Sequence, residues 1–133
     1  MGLPPMEFMS DKHVAAMNAL LLNDSAVRAE CSRLPVPYVI EYELLNGPGQ
    51  KTVRWHVSFA DTVQFALTGH PAPHLVAIMQ WRDMVLSSSA GRTGESHHAP
   101  VRYEGDDGAL LATRAAFAAA REAATLPITF PEI

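Results

Sequence analysis

Apolar residues return at two different periods along this chain. Val14, Met17 and Leu21 recur at helical spacing behind Ser10, whose hydroxyl suits a helix N-cap. Asn23-Asp24-Ser25 offers a stop and a fresh cap, and Val27 and Cys31 share one side of a second short helix from Ser25 to about Ser32. Pro35 and Pro37 end the helical region, because proline lacks an amide hydrogen and restricts the residue before it. The period then shortens to two. Tyr38, Ile40, Tyr42 and Leu44 alternate with Glu41 and Glu43, which predicts a strand with one buried face. Asn46-Gly47-Pro48-Gly49 is a strong turn signal. Beyond it, Val53, Trp55, Val57 and Phe59 alternate with Thr52, Arg54, His56 and Ser58. After a tight connection at Ala60-Asp61, Val63, Phe65 and Leu67 alternate with Thr62, Gln64 and Ala66. These three runs predict an antiparallel meander with one wet face.

Gly69-His70-Pro71-Ala72-Pro73 interrupts the meander, and a fourth strand follows over His74 to Met79. Trp81, Met84 and Val85 then return at i, i+3, i+4, the mark of a short helix. Ser87 to His98 is the most polar stretch and is expected to be a loop, long enough for a functional or mobile role. Val101 and Tyr103 predict a short last strand. Asp106-Asp107-Gly108 turns the chain into a final helix over Ala109 to Ala124, broad-faced and rich in alanine. Strands and helices are segregated, so the expected class is α+β with a mostly antiparallel sheet.

A length of 133 residues suits one domain over 1–133 with a true core. Residues 1–9 are expected to be a disordered extension, since Met9-Ser10 offers an alternative start, and 125–133 an extended tail that lays Leu126, Ile128 and Phe130 back on the domain. The net charge of −4 comes without a basic run, which argues against nucleic acid as a partner. No apolar stretch approaches the roughly 20 residues of a membrane helix, so no stable membrane insertion is expected. Cys31 is the single cysteine and can make no internal disulfide, so the expected location is cytoplasmic.

This order and its punctuation resemble the sterol-carrier-protein type-2 family of non-specific lipid-transfer domains over roughly residues 15 to 124. The likeness rests on Leu21-Leu22-Asn23-Asp24-Ser25-Ala26-Val27-Arg28, on Gly69-His70-Pro71-Ala72-Pro73-His74-Leu75-Val76 followed by Trp81-Arg82-Asp83-Met84, and on Ala90-Gly91-Arg92 followed by Val101-Arg102-Tyr103-Glu104-Gly105-Asp106. The chain departs from the pattern at His74, where the family usually has aspartate, and in its longer, more polar loop from Ser87 to Pro100. The resemblance implies a five-stranded sheet covered by helices. It also implies a hollow between the sheet and the last helices that takes fatty acyl chains, sterols or related molecules, with no catalytic residues.

An apolar hollow needs large and adaptable side chains that the core leaves facing space. Phe65, Leu67, Leu75, Ile78, Met79, Trp81, Met84, Val85, Leu111 and Phe117 fit that description, and methionine adapts well to irregular volumes. Ordinary core is the competing reading for each of them, and the stronger one for Trp55. No metal or other cofactor is expected. His70 and His74 are separated by prolines, and His97-His98 lies in the loop, so neither pair shows ligand spacing. Two other functional classes compete with ligand binding. One is a ketosteroid-isomerase-like enzyme in which Asp61, Asp83, His70 and His74 meet in an apolar pocket and move protons. The other is a structural domain with a filled pocket, paired into a homodimer through the alanine-rich helix.

Overall fold

The computed structural model describes residues 4–133. Its elements run β1 (Met6–Glu7), α1 (Asp11–Leu22), α2 (Ser25–Cys31), β2 (Tyr38–Leu45), β3 (Val53–Phe59), β4 (Val63–Ala66), β5 (Leu75–Gln80), α3 (Trp81–Arg92), β6 (Arg102–Gly105), α4 (Gly108–Ala123) and β7 (Ile128–Thr129). The local signals explain most of these boundaries. Ser10 caps α1 by accepting from the His13 backbone N–H, and Asp24 caps α2 by accepting from the Val27 N–H. Asp106 turns the chain into α4 by accepting from the Gly108 N–H at 2.8 Å.

The main sheet has five strands in the order β4-β3-β2-β5-β6. The β2–β3 and β3–β4 pairs form the antiparallel meander, β6 is antiparallel to β5, and only β2 and β5 run parallel. The chain therefore leaves β4 at one edge and crosses over to β5, so β4 and β5 point the same way. Residues 67–74 make this crossover on the polar face of the sheet. There the His70 backbone N–H donates to Glu41 Oε1 at 2.6 Å, and the His56 and His70 rings meet edge to face at 5.0 Å. At Gly105, φ is +117° and a Cβ would stand 2.5 Å from the His74 carbonyl oxygen, so β6 can pair this closely only with glycine there.

The other face carries Ile40, Tyr42, Leu44, Trp55, Val57, Phe59, Val63, Phe65, Leu75, Ala77 and Met79. Four helices cover it. The core joins Val14, Met17 and Leu21 of α1, Val27 and Cys31 of α2, the sheet, and Ala109, Ala116 and Ala120 of α4. The small α4 residues let that helix press closely on α2 and the sheet. A second buried cluster holds Leu44, Trp55 and Met79.

Two expectations differ from the structure. Residues 1–3 of the expected extension lie outside the described residues, but Met6–Glu7 pairs in parallel with Ile128–Thr129 in a small second sheet. Phe8 next to it packs against Trp55, Trp81 and Phe130 at ring-centroid distances of 5.9, 6.3 and 5.2 Å. A two-residue strand leaves no periodic trace; only its partner segment at the far end of the chain makes it a strand. The expected loop also begins later, because α3 continues through Ser87, Ser88 and Ser89 to Arg92. Serine is only modestly worse than alanine in a helix, and packing overrides that cost. The helix ends where Gly94 takes φ +76° and the Glu95 N–H closes on the Ala90 carbonyl.

Candidate functional site

Packing four helices over one sheet face does not fill the space between them. A cavity of about 580 Å³ remains, within the range of small-molecule sites. Its walls come from eight places in the chain. Phe8 and Met9 follow β1, and His13 and Met17 come from the inner face of α1. Tyr42, Trp55 and Phe65 rise from the sheet, while Met84, Ser87, Ser88 and Arg92 belong to α3. Phe117, Ala120 and Arg121 belong to α4, and Ile128 and Phe130 to the tail. The wall is chiefly apolar, and its polar atoms cluster on α3, α4 and His13. Such a wall gains free energy by taking apolar surface out of water, at about 25 cal/mol for each Å².

His13 is the exceptional polar group. It is 2% exposed. Its Nδ1 accepts from the Met9 backbone N–H at 2.9 Å, a bond that holds Met9 in the left-handed region at φ 52°. Its Nε2 is buried with no hydrogen-bond partner among the described residues. Burial, followed by the positive charge of Arg92, lowers the His13 pKa from its usual 6.5, so the ring is neutral at pH 7. Burial lowers the pKa of Arg92 as well. Arg92 Nη1 donates to the Leu126 carbonyl, tying α3 to the tail. Tyr42 keeps some open surface, but it lies on the cavity wall, and desolvation pushes its pKa up to about 12.

Three of the ten residues expected to line a hollow do so: Phe65, Met84 and Phe117. Leu75 and Val85 are sealed in the core, and Met79 belongs to the second cluster. Trp81 and Leu67 pack against that cluster beside the cavity, with Trp81 6.1 Å from Trp55. Ile78 sits on the opposite face of the sheet, in register with Glu43 and Arg102. Leu111 is 76% exposed. It follows the buried stripe of Ala109, Thr113, Ala116 and Ala120 by a rotation that points it outward, so the inward face of α4 is the one with the smallest side chains. Sequence reasoning missed Phe8, Met9, His13 and Tyr42, read Met17 and Trp55 as core only although both also line the cavity, and laid Ile128 and Phe130 back on the domain without placing them in the site. Of these His13 had a legible signal, since it shares a helix face with Met17 and Leu21, where histidine is out of place.

The proton-transfer set does not assemble. Asp83 Oδ1 pairs with His97 Nε2 at 3.0 Å, His74 Nδ1 accepts from the Val39 N–H, and His70 stacks on His56 over the polar face. Asp61 sits in the β3–β4 turn beside a second hollow of about 510 Å³ walled by Arg28, Cys31, Pro35 and Pro37. Burial pushes the Cys31 thiol up, which disfavours the nucleophilic thiolate. Among the described residues no three His, Cys, Asp or Glu side chains gather as a metal site, and no helix is long and apolar enough to cross a membrane.

The sheet and its covering helices are similar to solved sterol-carrier proteins. Sterol carrier protein 2 superposes with a TM-score of 0.59 at 14% identity, over 90% of this chain and 99% of that one. The apo form of sterol carrier protein 2 from Yarrowia lipolytica gives 0.51 at 12% identity, over 94% and 99%. Sterol carrier protein domain 2 of Helicoverpa armigera gives 0.50 at 15% identity, over 90% and 94%. No family profile matches the sequence, and no curated protein does. The chain therefore has the sterol-carrier type-2 fold, an α+β fold with a mostly antiparallel five-stranded sheet.

Proposed function

We propose that this protein binds an apolar small molecule, a fatty acyl chain, a sterol or a similar lipid, in the cavity between sheet and helices. It carries that molecule and performs no covalent chemistry on it. One observation carries the reading: about 580 Å³ of space walled by aromatic, aliphatic and methionine side chains from both ends of the chain. Removing an apolar ligand from water supplies the driving force, and Met9, Met17 and Met84 let the wall adapt to its shape. The likeness to sterol carrier proteins supports the same reading through the fold. The lining set is Phe8, Met17, Tyr42, Trp55, Phe65, Met84 and Phe117. The enzymatic alternative finds no support in the cavity, because Asp61, Asp83, His70 and His74 stand apart. A cytoplasmic, water-borne carrier that touches membranes only to load and unload fits a chain without a membrane-spanning helix among its described residues.

Native mass spectrometry of gently purified protein tests the proposal, together with titration of a fluorescent fatty acid. The expected results are a co-purifying apolar adduct and saturable binding at micromolar concentration. Absence of both overturns it.

A further inference from the structure

We propose that β6 is a docking edge for a second copy of this chain, whose own β6 pairs with it antiparallel about a two-fold axis through Tyr103. The inference is independent of what the cavity binds.

The two edges of the main sheet differ. At the β4 edge, Asn18 of α1 takes the place of a neighbouring strand. Its Nδ2 donates to the Phe65 carbonyl and its Oδ1 accepts from the Phe65 N–H, each at 2.9 Å. At the β6 edge no such closure exists among the described residues. Arg102, Tyr103, Glu104 and Gly105 are all exposed. In an antiparallel ladder, successive residues turn their backbone groups alternately toward the partner strand and away from it. The Asp106 N–H donates to the His74 carbonyl at 2.8 Å, so Arg102 and Glu104 face β5, and Tyr103 turns its N–H and C=O outward. Unpaired backbone groups along an exposed edge are a template for another strand.

Charge selects the occupant and its register. Arg102 Nη2 and Glu104 Oε1 stand 3.3 Å apart, with both side chains on the polar face of the sheet. A two-fold axis through Tyr103 sets Arg102 of each copy opposite Glu104 of the other. The two Tyr103 residues then exchange a pair of backbone hydrogen bonds. Moving the axis by one residue sets Arg102 on Arg102 or Glu104 on Glu104, and like charges directly opposite are destabilising. Tyr103 is 42% exposed on the other face, in one row with Ala77 and Tyr42, and meets its counterpart there as an aromatic cross-strand pair. The contact is isologous, so it closes at two copies. The buried alanines of α4, by contrast, are used inside the fold. A strand of four residues makes a small contact, so the dimer is weak and reversible.

Sedimentation velocity of the intact chain, from micromolar to millimolar concentration at low salt, tests the inference. Native protein is expected to be half dimeric at on the order of 100 μM. R102E makes the edge acidic throughout and E104R makes it basic throughout. Each is expected to weaken self-association about tenfold or more, because two attractive cross-strand pairs become repulsive. Mixed in equal amounts, the two variants are expected to associate with each other as tightly as native protein does, since each strand then meets its opposite. The double variant R102E/E104R is expected to self-associate as native protein does. Both positions are exposed, so these substitutions leave folding intact, and recovery in the mixture shows directly that each variant is folded. A native chain that stays monomeric at millimolar concentration overturns the proposal. A dimer equally strong in R102E, E104R and their mixture overturns it too, because its contact then lies away from β6.

Discussion

His13 ties three properties of single residues together: a strained Met9, a buried orphan nitrogen and a lowered pKa. Its folded pKa lies below the value near 6.5 of the unfolded chain. Between those two values the unfolded state binds more protons, so stability rises with pH there. The contribution of His13 is thus fully present above pH 6.5, declines as pH falls below it, and levels off once the folded value is passed. Denaturant midpoints of native protein and H13F, measured at fixed salt from pH 8 to pH 5, should show a difference that changes over this window. A difference independent of pH contradicts the assignment. Leu111 makes the opposite case. It stands outside the core, so L111S is expected to change stability by less than about 0.5 kcal/mol and to leave lipid affinity as it was. A large loss in either would mean that the outer face of α4 has a partner.

The elements were legible in the sequence to the extent that each carries its own period and caps. Ser10, Asp24 and Asp106 punctuate the helices where they were expected to, and Tyr38–Leu45 alternates cleanly. What escaped are features set by distant partners. β1 exists only because Ile128–Thr129 lies beside it, and α3 runs on through three serines to Arg92, whose guanidinium reaches the distant Leu126 carbonyl. The α4 stripe escaped for a related reason: alanines leave a weak pattern, so the bulkier Leu111 looked like the inward residue although Ala109, Ala116 and Ala120 are. Two outcomes follow at this scale. Removing residues 1–9 unpairs β7 and withdraws Phe8 from Trp55, Trp81 and Phe130. The truncated chain is expected to melt several degrees lower and to bind fluorescent fatty acid more weakly. Unchanged melting and affinity would show that β1 is ornamental. The A116L substitution inserts methylene groups where α4 meets α2 and the sheet, and overpacking of this kind costs about 1–3 kcal/mol. Chemical denaturation reads that cost directly, and a neutral result would mean that α4 can stand off the sheet.

Seen as a whole, the molecule divides its sheet between two tasks. One face is closed by a polar crossover from β4 to β5, with Glu41 receiving the His70 amide. The other is roofed by helices that touch at their small or apolar stripes and part elsewhere. The candidate site was legible only in part for this reason. An apolar residue facing a void and one facing a neighbour look alike in sequence, since both are chosen for leaving water. Phe65, Met84 and Phe117 turned out to face the void, whereas Leu75 and Val85 face neighbours. The central claim is that a lipid enters that void.

Trp55 on the cavity wall gives the most direct measurement. In a W81F variant it is the only tryptophan left of two. Titration with a fatty acid brominated along its chain is expected to quench Trp55 emission saturably at micromolar concentration, because the heavy atom comes into contact with the indole. Trp55 emission that stays constant while the same brominated lipid is shown to bind would place the lipid elsewhere and contradict the account.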